Sequence, residues 1–113
     1  MLSFFNKEND YGIIEYKLYI NKNKKDRLLS QCFYRIREGN GKAIYIIGIT
    51  DKGQLAFKNI KPVFYSVNKF INIIKSYCKY KLRFFIHKSY VYAIITIYNA
   101  NLTSFNYIDY DKI

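Results

Sequence analysis

The side chains that ordinarily carry covalent or hydrolytic chemistry are few and scattered in this chain. His87 is the only histidine, and no nucleophile or metal ligand lies at a spacing that would pair with it, which favours a surface or core histidine over a catalytic base. Asp109 and Asp111 are close in sequence, but their stretch has no helical or alternating period, so nothing rigid would hold two carboxylates together. The segment Gly39, Asn40, Gly41, Lys42 lacks the first glycine, the spacing and the Ser/Thr of a phosphate-binding loop and reads as a helix stop. Cys32 and Cys78 are too few for a disulfide framework or a zinc site, fall on apolar faces of predicted helices, and are expected to be buried free thiols in a reducing compartment. No catalytic residue, metal, cofactor or small-molecule substrate is expected from this inventory.

The chemistry that is well supplied is the binding of anions. Nineteen Lys and Arg against eight Asp and Glu give a net charge of +11, which points to polyanionic partners. Abundant Lys, Asn, Ile, Tyr and Phe fit an AT-rich coding sequence, and that bias explains lysine over arginine. It does not explain why so few acids balance the bases. Nucleic acid is favoured over a membrane surface, because no helix combines a basic face with a Trp/Phe/Leu wedge. No apolar run approaches the ~20 residues of a membrane span, and residues 1–5 do not read as a signal peptide. A cytoplasmic monomer is expected.

Three surfaces suit RNA. On the first predicted helix Arg27, Gln31 and Tyr34 form an outward stripe, with Lys24 and Arg35 beside it and Arg37 one turn on. On the second, Lys69, Lys75 and Lys79 face outward. On the sheet face away from the helices, Lys17, Tyr19, Arg83, Phe85, Tyr92 and Tyr98 mix bases with aromatics that could stack on unpaired bases. The competing reading is an ordinary solvated face for each helix, and a second core layer under the C-terminal tail for the sheet.

These residues require a scaffold. Residues 13–20 alternate as a half-buried strand, and Leu28, Leu29, Cys32, Phe33 and Ile36 have the spacing of an amphipathic helix. A continuous apolar strand over 43–49 turns at 50–53 into a short strand over 54–57. Pro62 opens a second helix reaching Tyr77 and Cys78, and strands over 82–87 and 90–98 meet at Lys88 and Ser89. The order predicts an α+β fold: a ferredoxin-like split β-α-β sandwich (βαββαβ plus an extra edge strand), with two helices on one face of an antiparallel sheet. Residues 1–12 form an N-terminal extension, 13–98 a single domain, and 99–113 an aromatic tail in which Phe105, Tyr107 and Tyr110 are candidate partner contacts.

Two stretches carry a resemblance. Ile14, Glu15, Tyr16, Lys17, Leu18 and then Arg27, Leu29, Gln31, Tyr34, Arg35, Glu38, Gly39, Gly41, Ala43, Ile44, Tyr45, Gly48, Asp51, Gly53 are similar to the domain preceding the G domain in the GTP-binding protein 1 and 2 family of translational GTPases. Lys42 stands where that family usually has an acid, and the G domain has no counterpart, so neither GTP chemistry nor any catalytic residue is carried over. The resemblance implies a ribosome-binding module without its motor. Such a module would contact rRNA and ribosomal proteins and block a functional centre of idle ribosomes, in the manner of a microsporidian-type dormancy, or hibernation, factor. The alternatives are a constitutive ribosomal or RNA-binding protein, and a protein-interaction adapter using the open sheet face.

Overall fold

A computed structural model describes residues 1–99; Phe105, Tyr107 and Tyr110 lie outside them. The elements are β1 (Leu2–Ser3), β2 (Ile14–Lys17), a 3-10 turn (Lys22–Lys24), α1 (Lys25–Glu38), β3 (Lys42–Ile47), β4 (Gln54–Leu55), α2 (Ile60–Ile74), β5 (Cys78–His87) and β6 (Tyr90–Asn99). The class is α+β, and both helices pack on one face of the main sheet. Leu28, Leu29, Cys32 and Ile36 of α1 and Val63, Val67, Phe70 and Ile74 of α2 share one core with Ala43, Tyr45 and Ile47 of β3 and Val91, Ala93, Ile95 and Ile97 of β6.

The strand order corrects the expected topology. The main sheet runs β2-β3-β6-β5, and β2 pairs with β3 in parallel, Ile14 opposite Ile44 through Lys17 opposite Ile47. A split β-α-β unit would place another strand between these two; here they are direct neighbours, and the sheet is mixed rather than antiparallel. Burial gives the reason. β2 is four residues long with Ile14 41% exposed, which suits an edge, whereas β3 and β6 bury their helix-facing residues fully and take the two interior positions. The expected hairpin is present but short: around the 50–53 turn the Thr50 N–H donates to the Gln54 carbonyl at 3.0 Å and the Ala56 N–H to the Gly48 carbonyl at 3.2 Å, framing an antiparallel Ile49–Leu55 bridge. β4 also pairs with β1, Leu2 opposite Leu55 and Ser3 opposite Gln54.

Local chemistry explains the element ends. Asn59 caps α2 by accepting from the Lys61 N–H at 2.9 Å, so Pro62 falls in the first turn, where its missing N–H removes no helical bond. α1 stops at the expected glycine pair, but the left-handed residues are Asn40 (φ 54) and Gly41 (φ 104), not Gly39. Gly39 is required for space, because an added Cβ would lie 1.8 Å from the Lys42 carbonyl oxygen. Lys88 (φ 48) and Ser89 (φ 70) make the two-residue turn between β5 and β6, both central residues left-handed as a type I′ hairpin requires.

Residues 1–12 are laced over the other face of the sheet. Leu2 and Phe5 pack into a second core with Tyr16, Ile46, Ile49, Leu55 and Tyr92. Phe5 meets Tyr92 edge-on at 5.5 Å, Phe85 stacks on Tyr92 at 5.2 Å, and Phe4 stacks on His87 at 4.1 Å. The Phe4 and Phe5 N–H groups both donate to the Gly53 carbonyl, at 3.1 and 3.0 Å. The sole histidine is therefore one plate of an aromatic stack.

Arg35 ties this strap to the helix layer. Its guanidinium bonds the Glu15 carboxylate at 2.8 and 2.9 Å and donates to the Gly12 and Asn9 carbonyls at 2.8 and 3.2 Å. Further along the strap the Tyr16 N–H donates to the Glu8 carboxylate at 2.6 Å, and the Tyr16 hydroxyl donates to the Asn6 carbonyl at 2.8 Å. Burial, reinforced by the nearby Glu15 and Asp51 carboxylates, raises the Glu8 pKa from 4.5 to about 7 against the opposing pull of the Tyr16 N–H. The folded state thus holds a proton that the unfolded chain releases. Stability should fall as pH rises from about 4.5 to about 7 and stay level above that. Glu8→Gln keeps an acceptor for Tyr16 and removes the charge, so it should abolish this slope. After discounting for the water that reaches the group, it should add about 1 kcal/mol at pH 8 and nothing at pH 4, read by urea denaturation at the two pH values. An unchanged slope would sink this assignment.

Candidate nucleic-acid interface

The end of β2, the 3-10 turn and the first turns of α1 enclose a cleft of about 470 Å³ lined by Lys17, Tyr19, Ile20, Asn21, Lys24, Arg27, Leu28 and Gln31. The chain leaves β2 at Lys17, and the Ile20 N–H is anchored to the buried Ser66 hydroxyl of α2 at 3.2 Å. Asn21 then starts the 3-10 turn by accepting from the Asn23 N–H at 2.9 Å. α1 follows without a side-chain cap and turns Arg27 and Gln31, one helical turn apart, along the cleft wall.

Its electrostatics are one-sided. Lys17, Lys24 and Arg27 line it and no acid does. Lys17 is partly neutralised by Glu15 at 3.7 Å, whereas Lys24 and Arg27 have no ion-pair partner among the described residues. The two amides are also committed as donors. The Asn21 side-chain oxygen is used by Asn23, and the Gln31 Oε1 accepts from the Tyr45 hydroxyl at 3.2 Å, so each side-chain NH2 is left to serve the cleft. Tyr19 is 63% exposed at the rim.

Of the residues expected to contact RNA, the structure brings Lys24, Arg27 and Gln31 together here. Tyr34 is exposed farther along α1, and Arg37, also exposed, lines a hollow at the other end of that helix with Phe33, Ile36 and Asn40. Lys69 lines a second, more apolar cleft of about 420 Å³ that shares Tyr19 and Ile20 with the first. Lys75 ends α2, and Lys79 and Arg83 project from edge strand β5 with Lys81, all exposed.

Arg35 is a correction. Expected beside the outward stripe, it is 4% exposed and spends its donors on Glu15, Gly12 and Asn9. The spacing held the signal: Arg35 is three residues from Cys32 and seven from Leu28, which is the buried stripe of the helix. The proposed aromatic platform is corrected as well. Tyr92 lies against Phe4 and Phe5 with Phe85 stacked on it, and Lys17 points to the helix side, where it pairs with Glu15. The second core layer exists, but residues 1–12 supply its cover.

Lys17, Tyr19 and Asn21 join the cleft although periodicity put the first two on a sheet face and gave the third no role. Asn21, followed two residues later by Asn23 and three bases, was the available sign that the strand had ended in a capped turn. Cys32 and Cys78 are free and buried, and burial pushes their thiols up to about 12 and about 11, far from a reactive thiolate. Among the described residues no group of three or more His, Cys, Asp and Glu side chains could hold a metal, and no helix is long and apolar enough to cross a membrane. No protein-family model matches the chain, and no curated protein matches it.

Proposed function

We propose that this protein is a non-enzymatic RNA-binding factor that contacts rRNA and occupies a functional centre of idle ribosomes. The observation that carries the RNA reading is the cleft beside α1, where Lys17, Lys24 and Arg27 converge with two donor amides and no acid. Phosphate oxygens are acceptors only, and a cleft lined by cations and amide donors with no acid is complementary to them. The net charge of +11 adds a long-range attraction to any polyanion. The ribosome is named on the resemblance of the β2-α1-β3 stretch to the domain that precedes the G domain in translational GTPases. Several residues of that resemblance serve the architecture: Glu15 and Arg35 form the buried ion pair, and Gln31 and Tyr45 are hydrogen-bonded.

The test is co-sedimentation of purified protein with ribosomes across a salt series. Binding should be tight at low salt, and log affinity should fall linearly with log salt, by roughly 0.7 to 0.9 per phosphate contact. Presence only on ribosomes of dormant cells supports the idle-ribosome reading, and presence on ribosomes of growing cells as well makes it a constitutive component. Failure to sediment with ribosomes at low salt overturns the ribosomal assignment.

A further inference from the structure

We infer that the cleft between β2 and α1 accepts one unpaired nucleotide of an RNA strand, the base on the Tyr19 ring and the adjoining phosphate on Lys24 and Arg27. The inference rests on the RNA-binding reading and narrows its substrate to single-stranded RNA.

Size and shape come first. A cleft of about 470 Å³ lies within the range of about 300 to 1,000 Å³ that accommodates a group the size of a nucleotide. It is a recess, so a phosphate on a duplex exterior could touch its rim, whereas a nucleotide turned out of a helix could enter it. Charge places the phosphate: Lys24 and Arg27 are the two lining bases without an ion-pair partner among the described residues. Exposure places the base. Tyr19 is the sole aromatic among the lining residues, the residue is 63% exposed, and it takes part in none of the ring-to-ring contacts that occupy Phe4, Phe5, Phe85 and Tyr92. A tyrosine face beside unpaired cations is the combination on which single-stranded bases stack without sequence preference. The amides supply the remaining contacts. With their oxygens used by Asn23 and Tyr45, Asn21 and Gln31 present N–H donors to a sugar oxygen or a base carbonyl.

The experiment is a fluorescence-anisotropy titration of the full chain with a short labelled single-stranded RNA and with a blunt duplex of equal phosphate number. Wild-type protein should bind the single strand at least tenfold more tightly. Tyr19→Ala should lower single-strand affinity about tenfold or more and leave duplex affinity within about twofold, while Tyr19→Phe retains binding. Gln31→Glu preserves the acceptor for Tyr45 and turns the donor into an anion, and it should also lose about tenfold. Lys52→Gln, the same change in charge at an exposed residue of the 50–53 turn, should stay within about twofold of wild type. Circular dichroism of each variant establishes that it is folded. Equal wild-type affinity for both RNAs, or a Tyr19→Ala variant unchanged on the single strand, overturns this inference and leaves the RNA-binding reading standing. No binding to either RNA overturns both.

Discussion

Arg35→Ala should lower stability by about 3–5 kcal/mol, the usual result of stripping one partner from a buried ion pair. The truncated side chain leaves the Glu15 carboxylate, 6% exposed in its residue, with only the half-buried Lys17 ammonium at 3.7 Å, and releases the Gly12 and Asn9 carbonyls that anchor the strap. With a domain of this size stabilised by about 5–15 kcal/mol in all, much of the margin would be lost. Urea denaturation checks it directly. Arg35→Lys retains the charge but offers one ammonium where the fork of the guanidinium meets three acceptors, so it should fall between wild type and alanine. A loss below about 1 kcal/mol for alanine, the range of an exposed pair, would show that the site is wetter than its burial indicates.

The second large effect is on RNA. Lys24→Glu with Arg27→Glu should weaken RNA binding about tenfold to a hundredfold at moderate salt, because two cations without protein partners become two anions at the mouth of the cleft. The salt dependence should become shallower by about one to two phosphate contacts. Folding should be spared, since both residues are exposed and bond to no core group; the urea midpoint serves as control. Lys52→Glu gives a single-site reference, a change of two charge units at exposed Lys52. A double reversal that merely doubles the Lys52→Glu loss would show that overall charge alone governs binding.

The sequence was informative where a single periodicity governed a segment. Leu28, Leu29, Cys32 and Ile36 marked the buried stripe of α1, and the apolar run around Tyr45 marked a strand covered on both faces. Where two periods overlapped, it misled. Cys78 continues the helical spacing of Ile71 and Ile74, yet it also opens the alternation Cys78, Tyr80, Leu82, Phe84, and the strand wins: α2 ends in a tighter turn, the Tyr77 N–H donating to the Ile74 carbonyl at 2.9 Å, and Cys78 pairs with Asn99 of β6. Strand order was not legible at all, since the succession of elements is the same whether β2 and β3 are neighbours or are separated. The role of Arg35 was hidden by residue type. A buried arginine becomes plausible only once Glu15, twenty positions away, is known to lie opposite it. The cleft was half legible: Lys24, Arg27 and Gln31 could be grouped by helical spacing, but Lys17, Tyr19 and Asn21 reach it because the chain leaves the sheet after Lys17.

The lacing of residues 1–12 over the sheet has a consequence for the order in which the molecule assembles. Leu2 needs Leu55, Phe5 needs Tyr92 and Phe4 needs His87, so each waits for a partner far along the chain. The unit β2-α1-β3 is complete within the first half of the chain and closes over short loops, whereas the strap closes a loop of nearly ninety residues at a correspondingly greater entropic cost. Residues 51–55 can hold the backbone of the strap first, but the Phe4 and Phe5 rings have no cover until β5 and β6 bring His87 and Tyr92. Loop closure therefore predicts that the ring contacts completing the second core form late, so that Phe5→Ala should speed unfolding more than it slows folding, read from the two limbs of a urea chevron.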